Sequence, residues 1–379
     1  MRASYATLIA FGEAQRPQVI TSRIANSHPC QDQARPLPRP CSDDLTVMGI
    51  YPLQPADKVG GHEGVGEVVA VGSAVADLAV GDRVVPTVPS TGTWRTHVVT
   101  PAAQWFKVSK DLPLHDAATL LVNPGTALLM LEDFVELKPG DVVMQNGANS
   151  EVGKCAPPPL RHHPTHQPPC VQLPGGVQPL CAAARYKAAS MLCTMSVNMC
   201  VRQPLTSSGG RRFVISIAKS KGVKTINIIR DRPNWQETVD ELTALGATVV
   251  ATADTVKEKA EAAGLTANLA LNCVGGGEPI APMIDLLAND SFFVSYGVLN
   301  QDPISISPVP FIFKNITMKG FWISVHSSAA RSSDGMLSTL GRVQQLILDG
   351  VIKSSCQEVP FADWKTAFGT RKKKMLLTF

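Results

Sequence analysis

The sequence predicts an α/β protein with a β-rich first part and a doubly wound parallel sheet in its second part. Over residues 65–100, short apolar runs alternate with glycine and proline, which is typical of an antiparallel β-domain. After Asn123, strand-like apolar runs are separated by segments of helical length. This alternation predicts βα units around a parallel sheet. At 379 residues the chain is long enough for two domains.

Individual elements follow from the same patterns. The N-terminal residues 1–20 are predicted to form two strands around a turn near Gly12, and the proline-rich residues 24–41 a loop. In the second part, the predicted strands are residues 141–145, 225–229, 247–251, 269–274 and 292–296. The predicted helices there are residues 234–245, 279–288 and roughly 335–351, the last leading back into the first domain.

Composition excludes several classes of protein. Hydrophobic residues make up 44% and charged residues 17%, which is ordinary for a globular protein. No apolar run reaches the roughly 18 residues of a membrane span. The net charge is +4, but residues 155–212 contain six lysines or arginines and no acid, so the remainder is slightly acidic. Nucleic-acid binding therefore gains little support.

Cysteine usage indicates a reducing compartment. Five of the nine cysteines lie in residues 155–212, and Cys30 and Cys41 lie in another proline-rich stretch. Cys273 and Cys356 alone fall in well-patterned sequence, which does not suggest a disulfide framework. The N-terminus has neither a secretory apolar region nor a long transit peptide.

Residues 142–153 predict a strand, a glycine-containing turn at Gly147 and Gly153, and the start of a helix. Such a turn brings a pyrophosphate to helix amides, because glycine permits close approach and the helix dipole favours an anion. A plain strand–helix turn is the alternative, and the βα units that follow favour phosphate binding. Glu151 stands where a small residue is expected, so its carboxylate must point away from a bound phosphate.

The predicted strand 225–229 is followed by Arg230, Asp231 and Arg232. Dinucleotide-binding folds that use NAD place an acid near this point for the ribose 2′-hydroxyl, whereas arginine accommodates a 2′-phosphate. Two arginines favour NADPH. A solvated charged turn is the alternative interpretation.

The run Gly61-His62-Glu63-Gly64 is a feature of zinc alcohol dehydrogenases, but a zinc site needs three or four ligands. Asn123 stands where a cysteine ligand would follow, and no cysteine lies between Cys41 and Cys155. The cysteines and histidines of residues 155–170 lack a Cys-x-x-Cys pair. We therefore expect no metal and a packed or hydrogen-bonded His62.

Several segments in order resemble the mitochondrial trans-2-enoyl-thioester reductases, which are zinc-free medium-chain dehydrogenases/reductases. The matching segments are residues 61–65, 92–96, 122–127, 145–150, 225–233, 271–276 and 319–324. The resemblance covers roughly residues 42–153 and 213–379, with weaker similarity over 3–20. Each motif alone is moderately specific for the family, and the order and spacing of the motifs together are strong evidence for the resemblance.

The resemblance implies a GroES-like catalytic domain in residues 1–122, a Rossmann domain that binds NADPH in residues 123–321, and a return to the catalytic domain in residues 322–379. It implies reduction of trans-2-enoyl-CoA or enoyl-acyl-carrier-protein substrates in fatty acid synthesis. A homodimer in the mitochondrial matrix is expected, without nucleic-acid or membrane partners.

The resemblance also assigns site residues. Tyr51, in the run Gly49-Ile50-Tyr51-Pro52, matches the family's proton donor, although without the family it would be interpreted as a turn aromatic. Asn123 could equally be a turn residue before Pro124. The residues that match the family's cofactor contacts are Asn123, Asn149, Ser150, Glu151, Val152, Arg230, Asp231, Arg232, Tyr296, Gly297, Val298, Leu299, Phe321, Trp322, Ile323 and Lys374.

Two stretches depart from the family. Residues 24–41 replace much of an expected strand, and residues 155–212, with nine prolines, interrupt the phosphate-binding helix after Lys154. A translated retained intron or a faulty gene model explains the second stretch, with a tolerated surface loop as the alternative. Two other functions stay open: a quinone or other alkene reductase of the same superfamily, and a non-catalytic member.

Overall fold

The fold is described from a computed structural model. It describes residues 8–10, 51–53, 59–87, 91–148, 208–277, 279–298, 300, 302–327, 329–332, 334–354, 356–360, 363 and 374–378. Most of residues 1–20, the loop expected at 24–41 and the turn residues Asn149, Ser150, Glu151 and Val152 lie outside these ranges.

The second part of the chain forms a six-stranded parallel sheet. Its strands are β6 (Val142–Asn146), β7 (Lys224–Ile228), β8 (Val249–Ala251), β9 (Ala267–Asn272), β10 (Leu287–Ser295) and β11 (Thr317–Gly320). Their order across the sheet is β11-β10-β9-β6-β7-β8, and every neighbouring pair is parallel. This order confirms the doubly wound prediction, because the chain moves outward from β6 first to one side and then to the other.

Helices cover both faces of this sheet. They are α1 (Leu114–Ala118), α2 (Asn123–Met130), α3 (Ser208–Ser220), α4 (Trp235–Leu245), α5 (Val256–Ala262), α6 (Ile280–Asp285), α7 (Val309–Lys314) and α8 (Gly335–Leu348). The alternation of side chains along β6 separates two cores: Val143 packs in one cluster with Phe213 and Leu340, and Met144 packs in another with Ile284. Both faces of the sheet therefore pack against other parts of the chain.

The β-rich first part forms a five-stranded sheet. Its strands are β1 (Leu8–Ala10), β2 (Gly66–Ala70), β3 (Arg83–Pro86), β4 (His97–Val99) and β5 (Trp105–Lys107), in the order β4-β1-β2-β3-β5. The β2–β3 and β3–β5 pairs are antiparallel, as predicted. Strand β1 lies outside the stretch 65–100 for which antiparallel pairing was predicted, and it pairs in parallel with both β2 and β4.

The end of the chain returns to the first part. After α8, β12 (Cys356–Pro360) and β13 (Lys374–Thr378) pair in parallel. Asp116 of α1 is 1% exposed, and its Oδ1 accepts a hydrogen bond from the Ser354 amide at 2.6 Å. Thr119 and Ser354 share a hydroxyl–hydroxyl bond of 2.7 Å. These bonds supply partners for polar groups that burial would otherwise penalise.

Two elements differ from the expectations in ways that bear on the site. Helix α3 begins at Ser208, not near Phe213, so residues 208–212 belong to regular structure and the atypical stretch is shortened to 155–207 at most. Helix α2 begins at Asn123, where a turn was the alternative, with Pro124 in its first turn. Proline fits there because the first helical amides need no partner within the helix. The two domain boundaries, at residues 122/123 and 321/322, stay predictions.

Candidate active site

Tyr51 lies against the segment that follows β11. The indole N–H of Trp322 donates a hydrogen bond to the Tyr51 hydroxyl at 3.1 Å, and the two rings meet edge to face at a centroid distance of 5.7 Å. An indole nitrogen can only donate, so the Tyr51 oxygen is the acceptor in this bond. The hydroxyl hydrogen of Tyr51 therefore points away from the indole nitrogen.

His62 also packs against the same phenol. Its ring centroid lies 5.3 Å from that of Tyr51 at an interplanar angle of 68°, and the residue is 4% exposed. The geometry is that of a packed aromatic contact. We refer to Tyr51, His62 and Trp322 as the acid cluster.

The neighbour of His62 connects the acid cluster to α2. The carboxylate of Glu63 accepts a hydrogen bond from the Val122 amide at 2.5 Å, immediately before α2 begins. A carboxylate at this position satisfies an amide that the helix leaves unpaired and interacts favourably with the helix dipole. The chain immediately before Asn123, the first residue of α2, is thereby linked to the neighbour of His62.

Helix α2 also approaches the Trp322 segment closely. A Cβ added at Gly125 would lie 3.1 Å from the Ile323 methyl Cδ1, a contact with little room to spare. Phe321 and Ile323 are buried, at 5% and 4% exposure, and Trp322 between them is partly exposed. Small side chains on α2 thus let the 321–323 segment lie flat against the helix.

The carboxyl ends of the parallel strands, which we call the carboxyl edge, hold residues suited to a phosphate-bearing dinucleotide. After β6 the chain turns at Gly147, whose φ of 63° is in the left-handed region that favours glycine. The amide of Ala148 then donates to the carbonyl of Ile228, which holds this turn beside the end of β7. Arg230 and Arg232 follow β7, with Arg230 exposed and Arg232 partly exposed.

Three strand ends on the other side of β6 bring further predicted residues to this edge. The Tyr296 amide donates to the carbonyl of Asn272, and the Phe321 amide donates to the carbonyl of Ser295. The Ser324 hydroxyl oxygen is buried and has no hydrogen-bond partner among the residues that the structure describes. A positive-φ glycine turn, two arginines and a buried orphan hydroxyl together fit a bound NADPH.

The structure brings together some of the predicted site residues. Tyr51 and Trp322 are in direct contact, and Tyr296, Phe321 and Ile323 lie in the segments just after β10 and β11. Lys374 begins β13 in the separate two-stranded sheet, and its side chain lies outside the described residues. Leu299 also lies outside them. The cofactor assignments as a set remain predictions.

Sequence reasoning missed a pair of buried carboxamides at the ends of β6 and β9. The side-chain amide of Asn146 donates to Asn272 Oδ1 at 2.7 Å, and the Asn146 Oδ1 accepts the Cys273 amide at 2.9 Å. Both asparagines are fully buried. The available signal was an asparagine as the last residue of two apolar strands, where an uncompensated amide would be costly.

An ion-pair cluster between the helices, away from the carboxyl edge, was also missed. The carboxylate of Glu132, just after α2, accepts hydrogen bonds from Lys221 at the end of α3 and from Arg342 of α8. Burial raises the pKa of Glu132, but the hydrogen bonds and charges of Arg342 and Lys221 outweigh it and hold the pKa below its ordinary value of 4.5. Glu132 thus joins three helices that flank the sheet.

The described residues contain neither a cluster of metal ligands nor a helix that could span a membrane. Within those ranges, no group of three or more histidine, cysteine, aspartate or glutamate side chains could hold a metal ion. In the same part of the chain, no helix is both long and apolar enough to cross a membrane.

Two family models match the chain. The model described as the alcohol dehydrogenase GroES-like domain matches residues 40–110, and the model described as zinc-binding dehydrogenase matches residues 212–337. The first match includes strands β2 to β5 of the β-rich sheet, and the second includes strands β7 to β11 of the parallel sheet.

Individual related proteins indicate the family more narrowly than the two family models do. The mitochondrial enoyl-acyl-carrier-protein reductase of Arabidopsis thaliana is 33% identical over 350 residues, which is 89% of this chain and 77% of that protein. The human protein of the same name is 33% identical over 88% of this chain and 75% of its own length.

Solved structures agree with these relatives. The complex of Etr1p with NADP and crotonyl-CoA has a TM-score of 0.68 and 25% identity, covering 89% of this chain and 87% of the other. The Etr1p/Etr2p heterodimer of Candida tropicalis, described as a mitochondrial 2-enoyl thioester reductase, gives a TM-score of 0.68 at 26% identity, with the same coverage. An Escherichia coli quinone oxidoreductase shares the fold at 17% identity and a TM-score of 0.62, covering 89% of this chain and 87% of its own.

Proposed function

Because this chain belongs to the family of mitochondrial enoyl-acyl-carrier-protein reductases, we propose that it uses NADPH to reduce the 2,3 double bond of trans-2-enoyl thioesters. The hydrogen bond from Trp322 to Tyr51 is the observation that carries this proposal, because it holds a phenol beside the carboxyl edge. The substrate is an enoyl-CoA or an enoyl-acyl-carrier-protein, and crotonyl-CoA serves as the probe because it is bound by Etr1p.

The residues of the acid cluster have separate tasks in this reaction. Bound NADPH supplies the hydride that reduces C3 of the substrate. Negative charge then develops on the thioester, and the Tyr51 hydroxyl stabilises it by a hydrogen bond and supplies a proton to C2. Trp322 fixes the direction of the Tyr51 hydrogen, since the indole occupies an acceptor position on the oxygen. His62 fixes the plane of the phenol by ring contact.

The residues of the carboxyl edge would hold the cofactor. We assign the 2′-phosphate to Arg230 and Arg232, whose guanidinium groups suit a phosphate dianion. The turn that begins at Gly147 would receive the pyrophosphate, because glycine allows the backbone to approach it. Asn123 and the residues Tyr296, Gly297 and Val298 lie close to the reacting end in this assignment.

The experiment is a comparison of substrates with the purified full-length chain. We expect NADPH-dependent reduction of crotonyl-CoA, which is measured as the loss of NADPH absorbance. The reaction with NADH should be much slower. A quinone such as 1,4-benzoquinone is the control for the related quinone reductases. Turnover of the quinone without turnover of crotonyl-CoA would overturn the proposal.

The proposed assembly is a homodimer formed through the outer edge of the six-stranded sheet. Strand β11 is the last strand of that sheet, and its residues from Met318 onward are exposed. Next to it, α7 exposes two large apolar side chains, Ile312 at 70% and Phe313 at 76%. Unpaired strand edges and apolar patches are characteristic of association surfaces.

Light scattering tests the dimer. We expect Ile312→Asp combined with Phe313→Asp to convert the dimer into a monomer. Val80→Asp is the matched control, because Val80 is an equally apolar residue with 64% exposure in the other part of the chain. Identical masses for the double variant and the wild type would contradict the assignment.

The proposed location is the mitochondrial matrix, in keeping with the names of the relatives. Co-fractionation of the native protein with matrix markers after removal of the outer membrane would support it. Recovery with cytosolic markers alone would refute it.

A further inference from the structure

The two central strands of the parallel sheet separate at their carboxyl ends, and side chains fill the gap. The last backbone pair between β6 and β9 is Gln145 with Leu271. One residue further on, the carboxamides of Asn146 and Asn272 bond to one another at 2.7 Å. This is the point where the strand order reverses, and dinucleotides bind in the crevice that opens there. The two carboxamides therefore form the floor of that crevice.

Asn272 also organises the turn that follows β9. Its Oδ1 accepts the amides of Val274 at 3.1 Å and Gly275 at 3.2 Å. Its Nδ2 donates to the Gly275 carbonyl at 2.9 Å and to the Ser295 hydroxyl at 3.1 Å. With the bond from Asn146, five hydrogen bonds converge on one buried side chain, so the position of the turn depends on it.

The same turn is pressed against the chain that follows β10. The Asn300 amide donates to the Val274 carbonyl at 2.6 Å, and Gly275 and Asn300 form a parallel bridge. A Cβ at Gly275 would collide with the Asn300 carbonyl oxygen, and a Cβ at Gly276 with that of Asp302. Residues 273–277 and the chain at Asn300 and Asp302 thus form a single wall on the β9 side of the crevice.

The first backbone amides of this wall are not available to bind an anion. The amide of Cys273 is donated to Asn146, and those of Val274 and Gly275 are donated to Asn272, so three consecutive amides are already used. The opposite side, at Gly147, has the glycine turn and the nearby arginines that suit phosphates. The β9 side consequently suits the uncharged end of the dinucleotide.

We propose that Asn272, supported by Asn146, is a positioning residue that places the nicotinamide end of NADPH by fixing the 273–277 turn as a wall of the crevice. The proposal rests on the proposed function. Asn272 acts through the turn, and it is not a group that touches the reacting atoms. A displaced turn misaligns the cofactor, and misplacement by about 1 Å reduces turnover by up to about 100-fold.

Asn227 provides a matched control. It is also a fully buried asparagine of the same sheet, and its side chain bonds to Gln145 at 2.7 Å and to Thr225 at 2.9 Å. Those bonds lie within the β6–β7 ladder and not at the crevice. Asn227→Ala and Asn272→Ala should both lower the Tm, which measures the shared cost of removing a buried amide.

The test is titration of the purified full-length variants with NADPH by fluorescence, together with KM values. For Asn272→Ala we expect the Kd of NADPH to rise by about tenfold and the KM for NADPH to rise far more than the KM for crotonyl-CoA. For Asn227→Ala we expect a Kd within about twofold of the wild type. Equal Kd values for Asn272→Ala and the wild type, or equal losses in the two variants, would overturn the proposal.

A milder variant covers the case in which Asn272→Ala does not fold. Ser295→Ala removes one of the five bonds to Asn272 and should raise the Kd of NADPH by about threefold. An unchanged Kd in this variant would then count against the proposal. A wild-type protein that binds NADPH but does not reduce crotonyl-CoA would defeat the proposed function and leave the role of Asn272 standing, whereas no binding at all would defeat both.

Discussion

The two halves of the candidate site are built in different ways. The carboxyl edge consists of residues that directly follow strands, and neighbouring strands bring them together. The acid cluster joins residues that are distant along the chain: the bond between Tyr51 and Trp322 spans 271 positions. Each residue of the first half can therefore be located by its position just after a strand, whereas the second half depends on contacts between segments that no such local rule connects.

This difference suggests how each half responds to substitution. At the carboxyl edge, several amides and side chains bind one ligand together. Each single substitution therefore weakens binding of that ligand only in part. In the acid cluster, one hydroxyl performs the proton transfer, so its removal affects turnover and leaves cofactor binding intact. The predictions below separate these behaviours, beginning with the largest expected effect.

Tyr51→Phe should abolish most turnover without unfolding the protein. The substitution removes one hydroxyl, and the ring that contacts His62 and Trp322 remains. Loss of a positioned acid lowers kcat by roughly 10²- to 10⁴-fold. Crotonyl-CoA reduction measures the loss, and NADPH titration serves as the control. Wild-type turnover in this variant would assign Tyr51 a structural role.

Arg230→Ala combined with Arg232→Ala should weaken NADPH binding far more than NADH binding. Two charge-assisted bonds to a phosphate contribute about 2–4 kcal/mol, which is roughly a 30- to 1,000-fold change in Kd. Lys219→Ala with Lys224→Ala is the matched control, since these exposed lysines lie at the opposite edge of the sheet. A similar loss for both cofactors would mean that the arginines do not recognise the 2′-phosphate.

Deletion of residues 155–207 should strengthen NADPH binding. The deletion joins Lys154 to Ser208, where α3 begins, so that the helix follows the glycine-containing segment 147–153 directly in sequence. A helix N-terminus next to an anion contributes about 1 kcal/mol, which corresponds to roughly fivefold in Kd. Fluorescence titration compares the two proteins. Matching constants would indicate that the stretch is tolerated as a surface loop.

Glu132→Gln should lower stability modestly and leave both halves of the site working. Because its partners Lys221 and Arg342 are 37% and 48% exposed, solvent screens the pairs, and we expect a loss of about 1 kcal/mol, or about 2 °C in Tm. Glu136→Gln, an exposed glutamate nearby, is the control.

The effect of Glu132 should also depend on pH in a defined direction. Its folded pKa is below the ordinary value of 4.5, so the carboxylate stabilises the protein above that pH. As the pH falls from 4.5 through the folded pKa, this stabilisation is lost. The Tm values of the wild type and Glu132→Gln should differ at pH 7 and converge in acid. A constant difference down to low pH would contradict the assignment.

Alternating apolar runs made the parallel sheet predictable. The residues at which some strands and helices begin could not be predicted in the same way. Strand β10 begins at Leu287, five residues before its predicted start, because the polar residues around Asp290 interrupt the apolar run. Asp290 has a φ of 57°, and the pairing with β9 shifts register between Leu287 and Phe292. Helix α5 (Val256–Ala262) was missed because it contains few apolar residues to define a period.

The site was predictable to different degrees in its two halves. Arg230 and Arg232 could be found from a local rule about strand ends, and Tyr51 only through the family resemblance. The contact of His62 with Tyr51 and the bond of Glu63 to the start of α2 were not predictable, because they depend on tertiary packing between separate segments. The carboxamide pair Asn146–Asn272 falls in the same class, since its two members are 126 residues apart.

The bonds of Ser354 set a limit on how early the first part of the chain can fold during synthesis. Asp116 and Thr119 emerge from the ribosome long before Ser354, which lies 238 and 235 positions later. At roughly 5–20 residues per second, the buried carboxylate of Asp116 waits on the order of 12 to 48 seconds for this partner. Until then the Asp116 carboxylate lacks the backbone amide that it accepts in the folded chain. Truncations that end before Ser354 should therefore be degraded faster than their length alone would suggest.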